Sequence, residues 1–372
     1  MSTPEEITAQ RRRWMVVAQK AGTPLLSVLL AMITGSLIVM VSGGDPVAAF
    51  SALWEGAFGN AYQIGETLLR ATPLIFTGLA IAYGFRAGLF NIGAEGQLYM
   101  GGLAAAWLGI VLAGLPWFVI LPLMLVFGAL AGALWAFVPA VLKAKVGAHE
   151  VITTMMFSWI ARYFVSYMVD GPLKSPGPDG APGTIPITQL LPSQSTLPKF
   201  TDIFPFLPPN NAHVGFIVAV VLAVGVWLLL RSTTLGYEAR AVGFNPFAAQ
   251  TGGVSVAWTT VWSLCISGAL AALAGVSEVM GVHHRLSDRF SAGFGFTGIA
   301  VALLAKNHPL AVIPAALLFG GLSAGSGMMQ LNANVPDKLV DIVQALVIFF
   351  VAAETVITWF IKRRQKEATK NA

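Results

Sequence analysis

Ten apolar runs succeed one another along the chain: 24–41, 71–85, 89–113, 117–141, 152–170, 214–230, 256–279, 291–305, 309–329 and 338–360. A helix that crosses a bilayer needs about 20 predominantly apolar residues. Backbone inside hydrocarbon must satisfy its own hydrogen bonds, which leaves helices as the natural spanning form here. The pattern predicts an all-α polytopic membrane protein with about ten transmembrane helices. The charge content agrees: 56% of the 372 residues are hydrophobic and 10% charged, against about 25% charged in a soluble domain. Runs 71–85 and 291–305 are short and adjoin Gly-rich stretches, so they are expected to be broken helices.

Arg11, Arg12 and Arg13 precede the first run, which is too long for the core of a cleavable signal and is followed by no small-x-small site. Residues 1–23 are therefore expected to be a cytoplasmic tail, 24–360 the transmembrane domain and 361–372 a second cytoplasmic tail. With the N-terminus inside, fifteen Lys and Arg fall on the inner side and six on the outer, with Arg162 inside a span. That bias places both termini in the cytoplasm. Residues 45–70 carry apolar residues at helical spacing and read as a helix lying on the outer surface. The outer stretch 171–212 holds ten of the 21 prolines; it is not a helix, and is either an ordered cap or a docking surface. Gly128 with Gly132, Gly268 with Ala272 and Gly321 with Gly325 permit close helix approach, for which packing within the chain is preferred over a dimer seam. Cys265, the single cysteine, reads as a small packing residue.

Phe85–Gly93 and Phe290–Gly298 share the pattern F-x-A-G-x-x-x-x-G, and each adjoins a short run. By helix count they lie near opposite faces, as in an inverted internal repeat. The first repeat leads into FNIGAEGQLYMGG, residues 90–102, with Phe90, Asn91, Glu95 and Gln97 among glycines. A carboxylate in hydrocarbon costs at least about 2.5 kcal/mol, so Glu95 must face the bundle interior or water. It either borders a translocation pathway or ties helices together. The second repeat offers Phe294, Phe296 and Thr297, where aromatic rings suit a flat or sugar-like ligand but also suit plain packing.

Two inner segments share a Val-Gly pattern. Residues 143–153 contain Gly147, His149 and Glu150, and 237–253 contain Glu238, Arg240, Gly243, Asn245 and Pro246. Each reads equally as a lever for a peripheral partner or as an ordinary loop. His283, His284 and Arg285 read as a solvated loop, because adjacent histidines diverge and no further ligand is spaced to complete a metal site. Arg162 is expected to pair with an acid or a lipid phosphate, while Asp341 and Glu354 reach the ends of the last span. No G-x-x-x-x-G-K-[ST] loop, zinc motif or nucleophile elbow occurs. The chain is not expected to be an enzyme or to bind a cofactor or metal; ATP-driven work would need an ATPase on another chain.

GLFNIGAEGQLYMGGLAAAW (88–107), YEARAVGFNPFAAQTGG (237–253), SGALAALAGVSEVMGVHHRL (267–286) and GFGFTGIAVALLAKNHPL (293–310) closely resemble bacterial ABC transporter permeases of the branched-chain amino acid, ribose and nucleoside type. The likeness runs over roughly 24–360 and is greatest to the longer permease subunit of nucleoside importers. It implies a bacterial inner-membrane protein and a heterodimer with a second permease. It also implies a cytoplasmic ATPase that uses ATP and magnesium, and an extracytoplasmic substrate-binding protein. Membrane lipid is the expected surface partner, and no nucleic acid is expected. By this resemblance the coupling helix maps to 237–250, within a cytoplasmic loop 231–255, and Asn91–Gln97 falls near the pathway. Import of a simple sugar such as a pentose, ion-coupled secondary transport and passive conduction are the alternatives within transport; a membrane-embedded enzyme has no catalytic constellation to support it.

Overall fold

The computed structural model describes residues 25–177, 183–206, 208–351 and 353. The expected tails 1–23 and 361–372, and Glu354, lie outside the described residues. The elements are α1 (Leu25–Val41), α2 (Pro46–Phe58), α3 (Ala61–Arg86), α4 (Ala94–Val111), α5 (Trp117–Val141), α6 (Glu150–Asp170), α7 (Phe200–Ile203), α8 (Gly215–Ser232), α9 (Thr234–Phe244), α10 (Pro246–Thr251), α11 (Val256–Glu278), α12 (Phe294–Leu304) and α13 (Pro309–Ala333), followed by α14 (338–351). No strand occurs among the described residues, where two isolated bridges are the only extended pairing. The chain is an all-α polytopic membrane protein: five of the described helices are long and apolar enough to cross a membrane, and α1 and α12 are shorter apolar helices.

Two boundaries differ from the sequence expectation. The stretch 45–70 is not one helix. Asp45 Oδ1 accepts the Val47 N–H at 2.8 Å and starts α2, and Asn60 Oδ1 accepts the Gln63 N–H at 3.0 Å and starts a new helix. That new helix, α3, runs unbroken from Ala61 to Arg86, so 71–85 is the end of a long helix and not a short one. Glu66 and Arg70 masked its length, because charge lowers local hydropathy. Both are answered in place: Asn211 Nδ2 donates to Glu66 Oε1 at 2.7 Å, and Arg70 Nη1 donates to Ser323 Oγ at 3.1 Å.

Residues 57–324 form one packing unit. At its centre lie α3 and α11, both mostly buried. Helix α11 packs on α4 and α5, while α12 packs on α3. Helix α11 also packs on α3, so the helices adjoining the two F-x-A-G-x-x-x-x-G segments pack against one another. Gly88 and Gly293, the fourth residues of the two repeat motifs, both take positive φ, 72° and 85°.

Small residues make these contacts possible. Gly132 on α5 lies against Gly268 O and Ala272 Cβ of α11, and the bare Cα of Gly268 faces Ala136. The small-residue pairs thus serve packing within the chain, as dispersion-driven association in lipid favours. The opposite side of α5 exposes Phe127, Leu130, Leu134 and Phe137, an arrangement suited to lipid and not to water.

The described residues of the Pro-rich segment are tied by backbone hydrogen bonds to the end of α11. Leu191 N–H donates to His284 O at 2.7 Å, Leu197 N–H to Met280 O at 2.9 Å and Thr188 N–H to Leu286 O at 2.9 Å. Its backbone polar groups are met by the end of α11 where regular structure is unavailable to proline. The residues from 25 to 56 and from 325 onward form a second unit, in which Gly35 packs on Val343 and Gly325 on Leu53.

Candidate functional site

The first broken segment begins where α3 ends. Leu89 N–H donates to Gly84 O at 2.9 Å and Gly88 N–H to Phe85 O at 3.1 Å, a Schellman closure with glycine at its left-handed position. The chain then crosses to α4 without helical bonds, and side chains supply the missing partners. Asn91 Nδ2 donates to Gln97 Oε1 at 2.8 Å and to Ser267 Oγ at 2.9 Å. Asn91 Oδ1 accepts from Gly93 N–H at 3.0 Å and from Gln97 Nε2 at 3.1 Å. Ser267 in turn donates to Ala80 O at 2.7 Å. Asn91 and Gln97 are fully buried, and their amides join the segment to α3, α4 and α11. Such a fully satisfied buried network rigidifies its surroundings.

Glu95 lies in the first turn of α4 and is 7% exposed. Its Oε2 accepts the Gly295 N–H of α12 at 2.7 Å, and the Ser291 hydroxyl donates to the same carboxylate. Ser291 Oγ also accepts the Gly293 N–H at 3.2 Å. Gly295 has no Cβ because the Glu95 backbone occupies that space. One carboxylate therefore caps the start of α12, where unpaired N–H groups and the helix dipole favour negative charge. The Arg162 guanidinium stacks over Trp159 at 5.3 Å and acts on Glu95 through its charge.

Asn91, Glu95 and Gln97 thus converge with the start of α12. Phe294 and Thr297 are half-buried there, and Phe296 is 46% exposed. The Phe90 ring packs on Phe85 at 5.0 Å.

The second candidate region is two helices where a single helix over 237–250 was expected. Pro246 cannot continue α9, since it lacks an N–H, and Asn245 both ends α9 and caps α10, accepting from Phe247 N–H at 3.0 Å and Ala248 N–H at 3.1 Å. The corner this makes presents Phe244 and Phe247, 85% and 83% exposed, which the sequence reading did not single out. Gly243 is seated on Arg86 O, Ala87 and Gly88, so the corner bears directly on the start of the Asn91 segment. Glu238 accepts from Thr259 Oγ1 at 3.4 Å, and Arg240 Nε donates to Gly236 O at 3.3 Å.

The segment 143–153 extends α5 by a π-turn, Leu142–Val146, closed by Gly147 at φ 72°. Lys143 Nζ and Glu150 Oε2 form an ion pair at 2.8 Å across it. Partial burial pushes the Glu150 carboxyl upward, but Lys143 and His149 outweigh it and hold the group below its ordinary value. His149 precedes α6 without a side-chain cap.

A second buried acid was not singled out from the sequence. Glu278 ends α11 and is 5% exposed; its Oε2 lies 3.6 Å from His283 Nε2. A π-turn, Val279–His283, extends α11, so His283 is part of the helix end and not of a solvated loop. The signal was the one that marked Glu95, an acid within an apolar run, but small residues surround it instead of Asn and Gln.

A lipid-adapted helical bundle, with two broken segments meeting on a buried carboxylate and no catalytic constellation among the described residues, defines the class: a multi-pass membrane transport component. The chain belongs to the family described as Branched-chain amino acid transport system / permease component, whose model matches residues 63–352. It is 41% identical to the guanosine ABC transporter permease protein NupP of Bacillus subtilis (strain 168), over 92% of this chain and 96% of that one. It is 36% identical to the glucose ABC transporter permease protein TsgB13 of Haloferax volcanii, over 93% and 90%. It is 34% identical to the nucleoside ABC transporter permease protein NupB of Lactococcus lactis subsp. cremoris (strain MG1363), over 95% and 97%. It is a transport component of an ABC system and not itself an enzyme.

Proposed function

We propose that this chain is the permease subunit of an ATP-driven nucleoside importer in a bacterial cytoplasmic membrane, with both termini inside. The names of two of the three relatives, NupP and NupB, support the substrate class. The observation that carries the ATP-driven reading is the seat of Gly243 on Arg86–Gly88. A motor protein gripping Phe244 and Phe247 would move α9, and α9 cannot move without moving the backbone that leads to Asn91 and Glu95. The Glu95–Gly295 bond joins the two repeats at the pathway, with Phe294, Phe296 and Thr297 beside it. Glu238, Arg240, Asn245 and Pro246 shape the lever; Gly147, His149 and Glu150 form a second inner contact.

The proposed partners are a second homologous permease, a cytoplasmic ATPase that binds ATP and magnesium, and an extracytoplasmic binding protein docking near the Pro-rich cap. A second reading, sugar import, is favoured by the 36% identity to TsgB13. Purification with the products of neighbouring genes, followed by ATPase assays over nucleosides and sugars, tests both. Stimulation by nucleosides supports the proposal, and stimulation by free sugars alone replaces it.

A further inference from the structure

We propose that Arg162, with the exposed rings of Trp159 and Tyr163 on α6, is the nucleobase site of this permease, its guanidinium donating to the O6 and N7 acceptors of a 6-oxopurine such as guanine that lies against the rings. The inference rests on the nucleoside reading and adds to it a base-recognition site on a helix outside the two broken segments.

Arg162 lies about 18 Å along α6 from its start at Glu150 and about 12 Å short of its end at Asp170. An arginine at such depth faces a bundle interior or a water-filled path, and it is almost always paired. The sequence reading expected an acid or a lipid phosphate as its partner. Among the described residues, the half-buried Arg162 guanidinium makes neither a hydrogen bond nor an ion pair; its one close contact is the Trp159 ring, 5.3 Å from the centroid. That contact turns the side chain back along the helix, away from the nearer end at Asp170, so it does not reach out to a headgroup. A guanidinium carries five donors in a planar fork, and the chain fills none of them.

The exposed side of α6 is unlike the lipid side of α5, where every exposed side chain is apolar. Helix α6 has 21 residues, yet it is not among the five described helices apolar enough to cross a membrane. Its exposed side carries Trp159 at 45%, Tyr163 at 68% and Tyr167 at 66% exposure. The Trp159 and Tyr163 rings stack with centroids 6.3 Å apart at 30°. The opposite side of α6 is clamped to the first broken segment. Ser158 Oγ accepts the Gly96 N–H at 3.3 Å, and Gly96 lacks a Cβ because the Ser158 backbone fills that space. Trp159 follows Ser158 directly, and Arg162 acts through its charge on Glu95. The rings and the free guanidinium therefore adjoin the junction of the two repeats.

A planar fork of donors matches two acceptors set side by side on the edge of a flat ring, and O6 with N7 of guanine is such a pair. Adenine puts an amino donor beside N7, and pyrimidines have no such edge. Aromatic side chains hold the face of a base by stacking. A phosphate would also satisfy the guanidinium, but it has no flat face for the rings to hold.

The test is uptake by the complete transporter of guanosine and of 7-deazaguanosine, which keeps O6 and lacks the N7 acceptor. Both are normalised to membrane abundance in wild type, Arg162→Gln, Arg162→Lys, Tyr163→Phe and Tyr163→Leu. The binding protein is common to all variants, so a changed ratio between the two substrates belongs to the permease. Wild type should prefer guanosine. Both Arg162 variants should lower guanosine uptake about tenfold and 7-deazaguanosine uptake far less, drawing the ratio toward one. Lysine keeps the charge and loses the fork. Wild-type behaviour of Arg162→Lys, or an equal loss of both substrates in both variants, would assign Arg162 to an acid of the second permease and overturns the proposal. Tyr163→Phe keeps the ring and should match wild type, while Tyr163→Leu should lower both substrates several-fold. The Tyr163 pair decides where the Arg162 variants do not assemble, and wild-type uptake by Tyr163→Leu overturns the proposal as well. A transporter that moves nucleosides with an unchanged ratio in its Arg162 variants fails this inference alone; one that moves only free sugars removes the nucleoside reading and the base site with it.

Discussion

A carboxylate inside a lipid-embedded bundle persists only where its partners are fixed, and Glu95 has them in Gly295 and Ser291. Removing the carboxylate leaves the Gly295 N–H buried without its acceptor. Glu95→Ala should therefore lower nucleoside uptake at least about tenfold while membrane abundance stays near wild type. Glu95→Gln keeps an oxygen that accepts the Gly295 N–H, and its loss should be milder; uptake normalised to abundance measures both, and normal uptake by Glu95→Ala would remove the pathway role. His213 gives a prediction in pH. Burial, with the charges of His284 and Lys199, holds its pKa down to about 4 from 6.5, and its Nδ1 accepts the Gly215 N–H at 3.1 Å. Between those values the unfolded chain binds a proton that the folded chain does not. Stability should fall as pH drops through that window, by up to about 3 kcal/mol. Thermal unfolding in detergent should show a larger acid-induced loss for wild type than for His213→Gln; equal losses would contradict this. Glu95, Asn91 and Gln97 were legible as polar residues among glycines in an apolar run. Glu278 carried the same signal of an acid in an apolar run but has small residues around it instead of Asn and Gln, and nothing in a sequence marks the π-turn that follows it.

At the scale of elements, the corner between α9 and α10 is the part most exposed to test. Gly243 has no room for a side chain against Arg86 and Gly88. Gly243→Val should push the corner away from the Asn91 segment, cutting uptake about tenfold or more while ATPase activity persists in the assembled complex. Coupled loss of both activities would mean the contact is structural only. Phe244→Asp with Phe247→Asp should instead abolish co-purification of the ATPase, since large exposed aromatic anchors dominate interfaces; full retention in pull-downs would misplace the docking point. The sequence located α5 to the residue, Trp117–Val141, because nothing but apolar residues fills it. It misjudged α3, where Glu66 and Arg70 find partners 145 and 253 residues away. Those partners are tertiary, so no local pattern announces that the helix continues through its charges. The break at Asn245 was readable in principle, since Asn-Pro is a helix-ending pair.

For the whole molecule, α11 packs on α3, α4 and α5 and α12 packs on α3, so the helices that adjoin the two F-x-A-G-x-x-x-x-G segments share one core. Each half supplies what the other lacks: α12 is too short to bury its own start, and Glu95 of the other repeat completes it. The proposed orientation, with both termini inside, rests on the charge bias. Ser193→Cys in the Pro-rich cap should react with an impermeant reagent from outside, and Gln250→Cys in α10 only after permeabilisation; the reverse pattern would invert the topology. The central claim is that this permease is driven by a separate ATPase and not by an ion gradient. It is tested most directly by reconstituting the chain into liposomes, alone and with its proposed partners, and following labelled guanosine. The account predicts accumulation only with the complete complex and ATP, undiminished by ionophores that collapse proton and sodium gradients. Accumulation by the chain alone, driven by such a gradient, would contradict it.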